Sequence, residues 1–342
     1  MASAKTFIQL ILFLGGGIFL IWWQLHNMST SELQVFKESL QHINYLYIIP
    51  VACMSILSHI SRSMRWQLIM EPMGYKPSLL NTYLVTMAGY LANSAIPRLG
   101  EVLKCTMLAR YEKLRADRLL GTIILERAFD LCCFLIFIGL TLLLQLDKIG
   151  RVLWGKFQQK DEAASWLWPL LVYALVVVVL IFGIRLLFKK FPDVKPIAVV
   201  SRFFTGLGEG IRSVKNMKNR GQFLAHTVFI WSMYLGQIYI GFFAMEATTG
   251  LPPATAFSVL TLATVSMILT PGGIGSFPLF VGETLTFYGI SLAVGVAFGW
   301  VMWGVSTALV IIVGLLAFIA LPFVNRKNDL LTDDANVIEN NR

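Results

Sequence analysis

Charge is scarce in this chain. Only 14% of its 342 residues are Asp, Glu, Lys or Arg, 56% are hydrophobic, and the mean hydropathy is +0.70. Soluble domains carry about 25% charged residues. So few charges cannot clothe a water-facing surface, and the same balance excludes disordered, collagen-like and disulfide-stapled secreted chains. Cysteine is scarce too. Cys53, Cys105, Cys132 and Cys133 show neither metal nor disulfide spacing, and the adjacent pair reads as small packing residues in an apolar run. No Gly-Lys-Ser/Thr follows the glycine-rich turn at 271–276, so a nucleotide loop is absent. Adjacent acids fall outside the apolar stretches, as at Asp333-Asp334, which argues against carboxylate-held metal chemistry. No cofactor and no metal are expected. Acid is outnumbered by base, 19 to 28, for a net charge of +9. In a soluble protein that excess would suggest nucleic acid. Here basic loops on one side of a membrane explain it, and no nucleic-acid partner is expected. What remains is an all-α, polytopic membrane helix bundle.

Eight hydrophobic segments are present, at 6–25, 44–61, 79–96, 119–146, 166–187, 223–245, 251–270 and 291–323. At 1.5 Å per residue most can cross a hydrocarbon core of about 30 Å. Lys5 followed by an apolar run resembles a secretory leader, but the run is long enough to span and no small-residue cleavage site follows. It is read as the first span, with Trp22 and Trp23 at the interface. The segment 31–43 is amphipathic and is expected on the membrane surface.

Loop charge tests how many segments cross. If all eight do, with the N-terminus inside, 11 basic residues lie inside and 16 outside, which is the wrong bias. If 79–96 enters and returns, and 251–290 does so from the opposite face, the split becomes 22 inside and 5 outside. Both stretches carry helix breakers. The first runs into Asn93-Ser94-Ala95-Ile96-Pro97-Arg98-Leu99-Gly100-Glu101, and the second turns at Pro271-Gly272-Gly273-Ile274-Gly275-Ser276-Phe277-Pro278. Broken backbone at membrane depth survives only under protein or water, and paired broken segments entering from opposite faces follow the logic of transporters. The expectation is six full spans plus two re-entrant hairpins. Residues 1–325 form the membrane domain, 326–342 an irregular polar cytoplasmic tail, and both termini are cytoplasmic. Ordinary kinked turns, or eight spans in the reversed orientation, are the competing layouts.

Ionisable residues at membrane depth mark the candidate site. The segment 119–146 holds Glu126, Arg127 and Asp130. Three such charges cost about 8–10 kcal/mol on insertion scales, and the helix's Leu, Ile and Phe residues offset about 8 kcal/mol. They therefore need protein or water. Glu126 and Asp130 share a face with Thr122, and Arg127 is placed to pair with Asp130. That arrangement serves either as a structural ion pair or as the lining of a polar cavity. Arg98, just past Pro97, suits a phosphate because its planar fork binds oxyanions bidentately; facing the cytosol as an ordinary loop charge is the other reading. Glu101 follows it, and Asn93 is placed to satisfy freed backbone groups or touch a headgroup. Gly272, Gly273 and Gly275 can present backbone N–H groups as an anion nest. Glu283, about two turns after Phe277, is a further cavity candidate. His59 and His226 read as packing or interface residues. The basic stretches 97–118 and 185–220 are expected against the anionic inner leaflet.

The set Arg65-Trp66, Asn93 to Glu101, Glu126-Arg127-x-x-Asp130 and Pro271 to Gly275 resembles the transmembrane region of lysylphosphatidylglycerol synthases and their stand-alone relatives, the UPF0104 family. The resemblance covers about residues 5–325. It implies an integral protein of the bacterial cytoplasmic (inner) membrane. In two-part members this region is similar to a flippase for aminoacylated phosphatidylglycerol and is fused to an aminoacyl-transfer domain. No such domain follows here, so lysyl transfer is not expected. Relatives often place a glutamate just after the glycine turn, where this chain has Ser276-Phe277-Pro278.

The expected function is lipid translocation, with a polar headgroup crossing along the charged residues while its tails stay in lipid. The partner is a membrane phospholipid or lipid-linked substrate, and the oligomeric state, homo-oligomer included, is left open. The alternatives are a non-transporting partner of a lipid- or envelope-modifying enzyme and, less favoured, a lipid-linked transferase.

Overall fold

The computed structural model describes residues 4–96, 98–145 and 217–340, and every regular element among them is helical. The chain forms two units, 1–123 with 218–342, and 124–217.

The first unit opens with α1 (Ala4–His26) and α2 (Thr30–Gln41). Ser29 and Glu32 start α2 with a capping box, each side chain holding the other's backbone N–H. The Ser29 backbone N–H and then its hydroxyl hold the exposed Glu32 carboxyl below the usual carboxylate range. The helix packs on the first turns of α10 and buries Phe36 alone. Val35, Glu38, Ser39 and His42 line a hollow there with Met245, Glu246 and Val294.

Four described helices are long and apolar enough to cross a membrane: 45–73, 116–144, 220–244 and 292–326. They contain α3 (Tyr45–Met70), α6 (Ala116–Leu144), α7 (Arg220–Gly241) and the apolar part of α10 (Leu292–Asn340). They match the segments expected at 44–61, 119–146, 223–245 and 291–323. Segment 6–25 lies within α1. Segment 166–187, like most of the basic stretch 185–220, lies outside the described residues.

The remaining helices make two hairpins. One is α4 (Leu79–Ala95) with α5 (Leu99–Glu112). The other is α8 (Pro253–Leu269) with α9 (Ser276–Thr286). Two expectations need correction here. Segment 79–96 does not return within itself: α4 is one continuous helix, because no breaker precedes Ile96, and α5 is the return arm. For the same reason α5 is no simple surface helix, since Lys104, Cys105 and Leu108 are buried. A third correction concerns the tail. The helix α10 continues to Asn340, because nothing after Pro322 breaks it.

Small residues set the packing. Gly282, Gly295 and Gly299 let α9 lie on α10, with backbone or Val296 within 3 Å of where a methyl would sit. Gly314 of α10 meets Met87 and Leu91 of α4. In lipid, dispersion between closely approached backbones takes over from the hydrophobic effect as the force between helices. The core of the unit gathers Trp66, Met70, Val85, Ala88, Leu108, Leu119 and Leu321 from α3, α4, α5, α6 and α10.

The described part of the second unit is essentially α6 beyond Ile123. Part of its apolar face is exposed, Ile124 by 68% and Ile136 by 60%, as suits a helix facing lipid, while Ala128 and Phe134 are buried.

Candidate functional site

The α4–α5 hairpin is fastened at both ends. At its base Glu112 Oε1 accepts from the Ser78 backbone N–H at 3.0 Å, the Ser78 hydroxyl at 2.8 Å and Asn81 Nδ2 at 2.7 Å. Asn81 and Asn325 exchange two amide hydrogen bonds of 2.9 Å, tying this base to α10. At the tip the Gly100 N–H donates to Asn93 Oδ1 at 2.8 Å. A methyl on Gly100 would collide with the Gly89 carbonyl and the Asn93 side chain. Asn93 therefore closes the turn rather than standing free for a headgroup. Arg98 begins α5 in the left-handed region, φ 68°, with its side chain exposed. Glu101 occupies the first turn of α5, where a carboxylate is favoured by the helix dipole.

The α8–α9 hairpin is built alike. Ser258 and Tyr288 hydroxyls meet at 2.8 Å across its base. Its tip is the turn 270–275, with Gly272, Gly273 and Gly275 all at positive φ. The Thr270 and Ser276 hydroxyls are 2.5 Å apart, and Ser276 donates on to the Ser266 carbonyl. Gln24 Nε2 of α1 donates to the Gly275 carbonyl at 2.6 Å, and Trp303 Nε1 of α10 to that of Gly272 at 2.7 Å. The Gly273 N–H is committed to Thr270, and Gly275 lies under Gly17 and Leu20. At those two glycines the turn is a docking point for α1 and not an open anion nest. Glu283 is exposed, on the face of α9 away from its buried stripe, and does not join the turn.

The two tips converge. Along α10, Asn325 meets Asn81 and Gly314 meets Leu91, so α4 runs antiparallel to the later half of the apolar stretch with its end advancing toward Ser306. From the other direction Gly295 meets Gly282, Gly299 meets Pro278 and Trp303 meets Gly272. The turn 271–273 also packs against α4. The two hairpins thus approach from opposite ends of one spanning helix and end near its middle.

A buried polar seam runs between antiparallel α3 and α7. Arg62 Nη2 donates to Tyr234 Oη at 3.0 Å, and Arg65 Nη1 reaches Thr227 Oγ1 at 3.4 Å. Ser61 Oγ and His226 Nδ1 are 2.9 Å apart. Arg65 is fully buried, and its guanidinium lies 5.8 Å from the Phe223 ring. Lys104, from α5, is buried with its ammonium 4.4 Å above the Trp66 ring, while Trp66 Nε1 donates to Thr122 Oγ1 at 2.7 Å. A desolvated cation–π contact of this kind contributes about 2 kcal/mol. His59 packs its ring 5.2 Å from that of Tyr90 on α4, and its Nδ1 is buried without a hydrogen-bond partner.

In the second unit Glu126 is buried, Asp130 half-buried and Arg127 exposed, and none of the three is without a partner. The i,i+4 stripe from Thr122 to Glu126 holds, since both are buried on α6.

The sequence profile of the lysylphosphatidylglycerol synthase TM region family matches residues 7–331. The chain belongs to that family. It is similar to a UPF0104 membrane protein of Methanocaldococcus jannaschii, 23% identical over 272 residues, covering 73% of this chain and 77% of the relative. No solved structure matches the chain. Membership, with the four long apolar helices, makes this an integral membrane protein.

For this family member the charged seam is the least visible part in sequence. Hydropathy ends the second segment at Ser61, which hands Arg62 and Arg65 to a loop. Lys104 likewise reads as a loop cation. The signal that could have placed the two arginines is the i,i+3/i+4 stripe Ser55, Ser58, Arg62, Arg65, which continues the helix phase. Removing the three from the loop count leaves the inside bias intact.

Proposed function

We propose that this protein translocates a lipid, passing its polar headgroup through the middle of the membrane while the acyl tails remain in lipid. One observation carries the reading: two helical hairpins enter from opposite ends of α10 and stop near its centre. A broken, polar mid-layer is costly in hydrocarbon and is tolerated where it lines a path. Opposed hairpins flanking such a layer fit alternating exposure to the two faces. Family membership supports a role connected with membrane lipids.

Orientation follows from charge. Lys76, Lys113, Arg115, Lys218, Arg220 and Arg326 flank the helix ends gathered by the Ser78–Glu112, Asn219–Glu71 and Asn81–Asn325 hydrogen bonds. The opposite end, where Asn44 meets Ala244, has Glu246 and Glu38 with a single lysine, Lys37. The basic end is read as cytoplasmic, in an inner membrane, against anionic lipid.

Purified protein in vesicles carrying a headgroup-labelled phospholipid tests this through dithionite quenching. Wild type should expose inner-leaflet label faster than protein-free vesicles, and Arg98→Ala and Asp130→Asn should slow it. Equal rates with and without protein overturn the reading.

A further inference from the structure

The helix α1 is held to the unit by a single stripe. From residue 15 onward its buried or half-buried residues are Gly17, Leu20, Ile21 and Gln24, spaced i, i+3, i+4, i+7, and every other residue is exposed. All four meet the tip of the second hairpin. A methyl on Gly17 would lie 2.9 Å from Ile274 Cγ2. One on Gly275 would lie 2.7 Å from the Gly17 carbonyl oxygen, 2.9 Å from Leu20 Cβ and 3.4 Å from Ile21 Cγ1. Gln24 donates to the Gly275 carbonyl. The other faces of α1 carry Ile18, Phe19, Trp22, Trp23 and Leu25, each 40–62% exposed, as suits contact with lipid. The helix thus lies between the tip and the lipid.

This attachment is light. Among the described residues one hydrogen bond joins α1 to the tip, and it leaves the Gln24 amide half used: the side chain is 5% exposed and Oε1 has no partner. Apolar contact adds little, because lipid tails solvate an isoleucine as well as a neighbouring helix does. The tip also keeps its shape without α1. The Thr270 and Ser276 hydroxyls, the Ser276 bond to the Ser266 carbonyl and the Gly273 N–H on Thr270 close it from within. Trp303 holds it from α10. What α1 alone supplies is the cover over Ile274 and Gly275. We propose that α1 is a strap over the second hairpin tip, which lifts to give a lipid sideways access to the tip and closes again through Gly17 and Gln24. The proposal rests on the translocation reading for what the lifted strap admits, while the lifting itself stands on the packing.

Locking the strap tests it. A Cβ built on Gly17 lies 3.1 Å from that of Ile274, close to the roughly 3.5–4.5 Å that a disulfide spans. Gly17→Cys with Ile274→Cys, in a full chain lacking the four native cysteines, should therefore cross-link on oxidation. In vesicles the oxidised pair should pass headgroup-labelled phosphatidylglycerol at about a tenth of its reduced rate or less. Reductant should restore the rate, and each single-cysteine variant should be unaffected by oxidation. Hydrogen exchange of the full chain in detergent gives a readout that needs no transport. Gln24→Leu should speed exchange of the amides at 272–276 about three- to tenfold, the worth of one hydrogen bond between membrane helices. The cross-link should slow it, and exchange at the first tip, 93–101, should not change. An oxidised pair that passes lipid at its reduced rate overturns the strap, as does tip exchange indifferent to both the cross-link and Gln24→Leu. Tip exchange that responds as expected, with no lipid crossing by wild type, would instead remove the translocation reading and leave the strap standing.

Discussion

Arg98 shows how one residue can be costly to the fold and still be kept. Its φ of 68° is a conformation in which an L side chain costs about 1–2 kcal/mol relative to glycine. The side chain is exposed, so packing does not repay that cost. A guanidinium at a hairpin tip is the remaining reason for it, and its reach toward an oxyanion is the obvious use. Arg98→Gly should therefore raise stability by about 1 kcal/mol, seen as a higher melting temperature in detergent, while slowing lipid crossing as much as Arg98→Ala does. A glycine variant that transports at the wild-type rate would show that the side chain has no role. The strain itself was not readable from sequence. Pro97 signals a break, but only the close packing of Gly100 on Gly89 forces the residue between them into this turn.

Among the elements, the hairpins were legible and their arms were not. Proline and glycine at 97–100 and 271–275 announce two breaks, and loop charge chooses re-entry over crossing. The return arm α5 was hidden because its composition, with Lys104, Arg110 and Lys113, reads as a basic surface helix. What holds it in place is shape: two glycines in contact and one carboxylate receiving three donors at the base. Gly100→Ala should accordingly cost about 2–3 kcal/mol through overpacking against backbone that cannot give. Gly121→Ala, in α6 with open space around it, should gain about 0.5–1 kcal/mol from helix propensity. Thermal unfolding of the two variants separates the cases, and similar melting temperatures would refute a clasp at Gly100. The seam between α3 and α7 escaped for a related reason, since hydropathy averages over a window and cannot see that Arg62 and Arg65 continue a buried helical stripe.

For the first unit as a whole, the decisive property is that its two ends differ in charge and its two hairpins start from different ends. The helix ends joined by Glu112, Asn81 and Asn325 are flanked by several lysines and arginines, and the ends joined at Asn44 and Ala244 by one, Lys37. Eight full crossings would put residues 76 and 113 in different compartments, yet Ser78 and Glu112 share hydrogen bonds. Single cysteines at exposed positions in a background lacking the four native ones make this measurable in intact cells. Lys76→Cys and Lys113→Cys should both resist a membrane-impermeant maleimide until the membrane is opened. Thr249→Cys and Ser291→Cys, at the base of the second hairpin, should both react at once. Labelling of 76 and 113 from opposite sides would break the first hairpin as a re-entrant unit. Labelling of all four from one side would remove the opposition of the hairpins, and with it the reason to place a headgroup between their tips.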